Sequence, residues 1–577
     1  MKQFTFDLTE KTAPYRKHWE MSVGSCHAAL ALREDYRRQL KEAHRRLGFQ
    51  YLRFHGLFCD DMSVLSRSLF SSEYLLSFVN IDSIYDFLLS IGMKPFVELG
   101  FMPECLKSGN ETIFHYKANI TPPNDPGRWV WFIKEFVTHL IERYGRDEVR
   151  TWYFEVWNEP NLDGENGLAG GRFWSGNMQD YYELYRITAK AVKEVDPLLR
   201  VGGPATSNNA HIPDMIAFCK KNGLPLDFVS THHYPTDIVL GYGVEDSKNF
   251  VKEFNSTDKS DLDKIHKLLK HYMTFQADIW EKVDRGVLTQ MAKRARSEAG
   301  DLPLFYTEWS SLAGLATDGP FGASFVAKTV LDNIGIIDGC SYWTFSDIVE
   351  EKSMASMEFH GGFGLTTLHG IPKAPFRAFE LLHRLPEVRY ERTLSEGTVD
   401  IYLFPDERDK TLKLVAVNHN SLMHDIKEET ISLTLQTGNA TLLEKADLQR
   451  VDETHANALA AWLEMGSPTY LSEAQLASLH AASCLTREQL PLTLEGSSAA
   501  LTSPFPRREW RSSPFTSHHE HHPHRRILQS ARQRPRQAPR AREGALFGTQ
   551  RQRLFPAAHR LGHPLHPECG HIPRAHL

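Results

Sequence analysis

Glu159 and Glu308 carry the strongest chemical signal in this chain. Glu159 lies in Val156-Trp157-Asn158-Glu159-Pro160-Asn161, and Glu308, 149 residues further on, in Phe305-Tyr306-Thr307-Glu308-Trp309-Ser310. Each ends a short β-branched and aromatic stretch with strand character, and each runs into loop-like sequence. Two carboxyl groups delivered from separate strands are the parts that break a glycosidic bond with retention. One protonates the leaving oxygen and the other attacks the anomeric carbon, with the pair about 5–5.5 Å apart. A charged nucleophile raises the pKa of its neighbour and keeps the acid protonated near neutral pH. Glu159 therefore reads as the acid/base and Glu308 as the nucleophile. Singly, each is explained about as well by a loop cap or a barrel salt bridge; jointly, in these contexts, the chemical reading prevails. Asn158, beside the acid/base, is placed to hydrogen-bond the sugar 2-hydroxyl.

Something must hold those carboxyl groups at one place. Short apolar strands near Met21–Gly24, Tyr51–Phe54, Pro95–Leu99, Thr151–Val156, Arg200–Gly203, Asp227–Thr231, Leu304–Thr307 and Gly339–Thr344 alternate with amphipathic segments. Those segments include Arg33–Leu47, Asp82–Ile91, Arg128–Tyr144, Met178–Val195 and Ala323–Ile334. Eight strands with intervening helices predict an α/β fold, a (β/α)8 TIM barrel over residues 13–385, whose active site sits at the strand C-termini. The long stretch Pro235–Asp301 has room for an elaborated loop. From about Val388 the pattern becomes alternation, with strands at Thr398–Phe404, Thr411–Asn418 and Glu429–Leu435. This predicts a β-sandwich accessory domain over 386–490, with an N-terminal strand (residues 1–12, Phe4–Leu8 alternating) joining it.

After about Leu492 periodicity disappears and Arg, His, Pro and Ser dominate, as in His518-His519-Glu520-His521-His522-Pro523-His524. Residues 491–577 are expected to form a low-order tail, since such composition buries too little apolar surface to fold. Translation in a shifted reading frame would produce the same texture. The nucleotide sequence tests that reading, and an uninterrupted, codon-biased frame across Leu485–Leu577 would end it.

Bulk composition narrows the function classes. Hydrophobic residues make up 41% and aromatics 11%, enough for a large core and for rings on which sugars stack. The net charge of −6 argues against a nucleic-acid partner, although Arg507–Leu577, with 14 Arg and 4 Glu, is locally basic. Seven scattered cysteines show neither a disulfide framework nor zinc spacing. No apolar run reaches a membrane span of about 18 residues, and the N-terminus lacks the apolar core of a signal peptide. A soluble, cytoplasmic protein is the expectation, with no membrane and no nucleic acid as partners. No cofactor and no metal are expected: retaining chemistry needs none, and His232-His233 has no well-spaced third ligand.

The ordered set of motifs resembles glycoside hydrolase family 39, in its bacterial β-xylosidase branch, over about residues 4–485. The resemblance rests on Arg53-Phe54-His55-Gly56-Leu57, Pro95-Phe96-Val97-Glu98-Leu99-Gly100-Phe101-Met102-Pro103, Trp157-Asn158-Glu159-Pro160-Asn161 and Thr231-His232-His233-Tyr234. It continues through Thr307-Glu308-Trp309, Tyr342-Trp343-Thr344-Phe345-Ser346-Asp347 and His360-Gly361-Gly362-Phe363-Gly364. It implies an exo-acting β-xylosidase that releases xylose from short xylo-oligosaccharides by double displacement. It further implies that His55 faces the pocket, that His232 and Tyr234 lie near the nucleophile, and that Trp343 floors the terminal subsite. Glu350 is implied as a contact to xylose hydroxyls, with the register against Glu351 open. Glu98 and Glu155 compete as carboxylates, Glu155 reading better as a structural partner inside the barrel. A homotetramer is implied as well. Two alternatives stand beside this reading: another retaining specificity of the clan, such as β-glucosidase or α-L-arabinosidase, and a catalytically inactive sugar-binding protein.

Overall fold

Eight parallel strands close into a barrel, in the order their chain positions require: β2 (Ser22–His27), β3 (Tyr51–His55), β4 (Lys94–Leu99), β5 (Tyr153–Val156), β6 (Arg200–Thr206), β7 (Phe228–His233), β8 (Leu304–Trp309) and β9 (Gly339–Tyr342). The computed structural model describes residues 1–505 except 69, 164–171, 236–248, 251, 255, 259, 269, 272–280, 282–283, 312–313, 352, 423, 437–445 and 496–497, and gives the backbone alone for 492–505. A helix follows each strand: α1 (Glu34–Leu47), α2 (Val79–Ser90), α3 (Pro126–Tyr144), α4 (Met178–Val195), α5 (Ile212–Asn222), α6 (Val287–Ala299), α7 (Pro320–Asp332) and α8 (Ala374–His383). This is the (β/α)8 barrel the alternation indicated. Among the described residues no helix is long and apolar enough to cross a membrane.

Local sequence explains the helices. Asp125 caps α3 by accepting from the Arg128 amide, and Pro126 occupies the first turn, where its missing N–H costs nothing. Trp129, Phe132, Ile133, Phe136, Val137 and Leu140 then recur at helical spacing and are buried. Asn177 and Asp180 form a reciprocal capping box at α4.

The barrel interior is divided by chemistry. At the strand N-termini Met21, Phe96, Phe228 and Phe305 are buried together, with Tyr51 and Tyr153 packed against them. Each such side chain contributes about 1.5–3 kcal/mol by leaving water, and together they plug that end. One layer up the interior turns polar with Arg53, Glu98 and Glu155, all buried. Gly24 serves the opposite end: a Cβ there would stand 2.5 Å from the Trp343 ring, so only glycine leaves room for that indole.

A second region packs beside the barrel. One sheet holds β10 (Leu394–Glu396), β11 (Val399–Asp406) and β12 (Thr411–Asn418). The other holds β1 (Lys2–Asp7), β13 (Glu429–Gln436), β14 (Leu492–Glu495) and β15 (Ser498–Phe505). Phe4, Phe6, Ile431, Leu433 and Leu435 meet Val399, Ile401 and Leu403 between the sheets. The other face of β11 meets the barrel, where Tyr402 donates to Asp332 at 2.6 Å and Asp400 pairs with Arg285 and Lys328. Buried on both faces, β11 loses the polar alternation of a solvated strand.

Strand pairing runs past residue 490, where the sequence reading ends the sandwich and begins a tail. Ser498–Phe505 pairs antiparallel with Glu429–Gln436, and Leu492–Glu495 pairs with it in turn. Ser-Ala-Ala-Leu-Thr-Ser-Pro-Phe has small residues and a proline where a strand signal needs β-branched bulk, which hides it from pattern reading. The Arg- and His-rich segment beyond Phe505 lies outside the described residues.

Candidate active site

Three ring and carboxylate atoms converge at the C-terminal mouth of the barrel. One carboxylate oxygen of Glu159, one of Glu308 and one ring nitrogen of His232 all lie within 4.8 Å of one another. All three residues are buried, Glu159 at 6% and Glu308 at 5% exposure. Their strands are β5, β8 and β7, so sequence separations of 73 to 149 residues collapse to a few ångströms.

Glu159 is aimed by its backbone. Both Trp157 (φ +69°) and Glu159 (φ +44°) adopt left-handed conformations, which cost a non-glycine residue on the order of 1 kcal/mol each. The surroundings enforce them: the Glu159 amide donates to the Ala205 carbonyl at 2.9 Å, and the buried Trp157 indole donates to the Phe173 carbonyl at 2.9 Å. The strain turns the carboxyl inward.

Glu308 is held at both oxygens. Arg53 Nη1 donates to Oε1 at 2.8 Å and the Tyr234 hydroxyl donates to Oε2 at 2.8 Å. His55 Nε2 lies 3.4 Å from the same Oε1. A carboxylate so gripped has one rotamer and a compensated charge, as an attacking group requires. Burial raises the Tyr234 pKa, and the charges of Glu308 and Glu159 raise it further, so its hydroxyl stays a donor.

Arg53 is the hub beneath the site. Besides Glu308 it reaches Glu155 through Nε at 2.6 Å, Glu98 through Nη2 at 2.9 Å and Asn158 Oδ1 through Nη2 at 2.8 Å. Burial opposes its charge, but Glu155, Glu98 and Glu308 together raise its pKa. Since guanidinium only donates, the Asn158 atom facing it must be the carbonyl oxygen. That leaves the Asn158 amide nitrogen buried with no hydrogen-bond partner among the described residues. A buried donor in that condition costs about 1–3 kcal/mol unless a ligand supplies the acceptor.

The histidines divide in their charge. Burial works against a charged His55, yet the Glu98 carboxylate, 2.7 Å from its Nδ1, outweighs it and the pKa is raised. Burial, then Arg53 and His55, push His232 well down. Its Nδ1 stands 3.0 Å from Glu159 Oε1 and 3.7 Å from Glu308 Oε2, and its Nε2 stands 3.1 Å from Thr307 Oγ1. His232 thus lies near Glu308, as the resemblance implied, and stands closer still to Glu159.

Trp343 is 2% exposed and packs against His55, ring centroids 4.6 Å apart. Glu350, expected at the sugar, has its Oε1 2.6 Å from His27 Nδ1, whose ring is stacked on Tyr116 at 3.7 Å. Glu351 is the carboxylate whose charge reaches Tyr234 and Tyr116. Arg53 and Thr307 went unassigned in the sequence reading although both stand in the motifs it singled out. An arginine inside an otherwise apolar strand was the available signal. Phe114 and Phe173, which pack near His55, come from irregular segments and leave no periodic trace.

Residues 3–287 and 271–497 match the family model described as Glycosyl hydrolases family 39. A beta-xylosidase of Caldicellulosiruptor saccharolyticus is 44% identical over 494 residues, covering 85% of this chain and 93% of that protein. A beta-xylosidase of Geobacillus stearothermophilus is 34% identical over 478 residues, 81% of this chain and 86% of that protein. The solved structure of a monomeric beta-xylosidase from Caulobacter crescentus CB15 aligns with a TM-score of 0.65 at 30% identity, over 88% of this chain and 100% of that one.

Proposed function

Because this chain belongs to glycosyl hydrolases family 39 and is a glycoside hydrolase, we propose that it is a retaining β-xylosidase that removes xylose from the non-reducing end of short xylo-oligosaccharides. The observation that carries the mechanism is that one carboxylate oxygen of Glu159 lies within 4.8 Å of one of Glu308, both buried in the same pocket. An inverting pair stands about 6.5–9.5 Å apart to admit water, whereas a retaining pair stands at about 5–5.5 Å.

Glu308 attacks the anomeric carbon while Glu159 protonates the departing oxygen. The Glu308–sugar ester is then hydrolysed by a water that Glu159, now a carboxylate, deprotonates, and xylose leaves with its β configuration. Tyr234, Arg53 and His55 hold Glu308 for the attack. Asn158 donates its unpartnered amide to the sugar 2-hydroxyl, where a hydrogen bond strengthens as charge develops. Trp343 lies under the sugar. Glu350, or its neighbour Glu351, contacts its hydroxyls.

A proton NMR time course on an aryl β-xyloside tests both halves of the reading. β-Xylose is expected as the first product, mutarotating later. First appearance of α-xylose would overturn retention, and no release would overturn the substrate. A nitrophenyl glycoside panel separates xyloside from glucoside and arabinoside activity. A cytoplasmic site of action goes with short substrates, because a polymer does not cross a membrane, and cell fractionation tests it. The homotetramer implied by resemblance is separated from a monomer, the state of the Caulobacter enzyme, by light scattering.

A further inference from the structure

We propose that His232 is a positioning residue that keeps the catalytic proton on Glu159, accepting it at Nδ1 in a tautomer set by Thr307. The proposal rests on the acid/base reading of Glu159 given above and follows from the polarity of one hydrogen-bond chain.

The chain starts at Glu155. Arg53 Nε, which can only donate, faces Glu155 Oε2 at 2.6 Å, and the Thr307 hydroxyl donates to Glu155 Oε1 at 2.8 Å. Burial raises the Glu155 pKa against the opposing charge of the adjacent guanidinium, and it is the geometry, with Thr307 Oγ1 donating to Oε1, that makes this oxygen the acceptor. A threonine hydroxyl has one hydrogen. Having given it to Glu155, Thr307 Oγ1 can only accept from His232 Nε2 at 3.1 Å. His232 is therefore protonated at Nε2. Its burial beside Arg53 and His55 disfavours a second proton, so Nδ1 presents a lone pair. The atom 3.0 Å away, Glu159 Oε1, must then supply the hydrogen.

Charge bookkeeping in the pocket agrees. Arg53 and His55 supply the positive charge that faces Glu98, Glu155 and Glu308. Glu351 adds a further carboxylate on the Tyr234 side. With Tyr234 neutral, an ionised Glu159 would add one more negative charge to a buried, already acidic site, whereas a protonated one adds none. A hydrogen bond accepted from the neutral acid also stabilises that acid. After the proton passes to the leaving oxygen, the same lone pair faces the new carboxylate. That contact is repulsive, and it favours Glu159 retaking a proton from water in the second step.

The test is the pH dependence of kcat/KM on an unactivated xylo-oligosaccharide. Thr307→Val removes the acceptor for Nε2–H, so the ring reverses to the Nδ1–H form and donates to the Glu159 carboxylate. The alkaline limb should move down by about one pH unit, the acid limb should stay, and Thr307→Ser should restore the wild-type profile. His232→Asn, whose amide can also donate to Glu159, should shift the limb the same way and serves if the valine variant does not fold. Nitrogen-15 spectra of histidine-labelled enzyme, assigned by loss of one signal in His232→Asn, should show a lone pair at Nδ1. An unmoved or raised alkaline limb in a folded variant, or a protonated Nδ1, overturns the relay. Should Glu159→Ala retain wild-type turnover of the same oligosaccharide, the acid/base reading itself fails. If that variant loses turnover while the limbs above do not move, only the relay fails.

Discussion

Tyr234 donates its hydroxyl to Oε2 of Glu308 at 2.8 Å, while Arg53 takes Oε1, so the carboxylate has no free rotation. Tyr234→Phe removes one donor and leaves the ring in place. A hydrogen bond to a charged group contributes about 1.5–3 kcal/mol, so kcat on an aryl β-xyloside should fall by about 10- to 100-fold. KM should change little. Steady-state kinetics of the variant decide the matter, and unchanged kcat would show that the contact does not orient the nucleophile.

Glu159 and Glu308 differ in what their loss leaves behind. Glu308→Ala should abolish turnover of every substrate, because no covalent intermediate can form. Glu159→Ala should lower xylobiose hydrolysis by about 10²- to 10⁴-fold and spare substrates whose leaving group needs no proton. Azide, fitting the space vacated by the carboxyl, should restore activity and yield β-xylosyl azide. Product analysis by NMR reads this directly.

Arg53 compensates three buried carboxylates, Glu98, Glu155 and Glu308. Arg53→Met removes the cation and strands the acids. Breaking a buried charge pair costs about 3–5 kcal/mol, so the variant should unfold at much lower denaturant concentration. It should also lose activity in whatever fraction stays folded. Urea unfolding followed by tryptophan fluorescence measures the first effect, and an unshifted midpoint would contradict it.

Both ring nitrogens of His18 are buried without a hydrogen-bond partner among the described residues. Burial, then the nearby Arg16 charge, lowers its pKa to about 3. The unfolded chain, with an ordinary histidine near 6.5, takes up a proton first as pH falls. The stability from this neutral ring is thus complete above about pH 6.5 and is lost progressively from there down to about pH 3. Between pH 7 and pH 5 the loss amounts to about 2 kcal/mol. His18→Phe should remove that slope. Denaturant midpoints at the two pH values, compared with wild type, supply the check.

Most of the barrel was legible in advance. Every strand expected from Met21 to Thr344 overlaps a barrel strand, and Met178–Val195 matches α4 end to end. These elements announce themselves because period, caps and β-branched content act within a few residues. The segments that went unread have weaker local signals. α5 and α6 have no side-chain cap at their first turns, and β15 is built of small residues and a proline.

Residue types and their order in the chain were enough to set the class of chemistry, the barrel and the candidate pair of glutamates, because strand ends and their motifs are properties of short windows. Which partner each side chain takes was decided only by closure of the barrel. His232 meets Glu159 more closely than Glu308, Glu350 turns to His27, and Arg53 gathers acids from three other strands. Hydrogen bonds reach about 3 Å and carry direction. They depend on distances through space that separation along a chain does not contain.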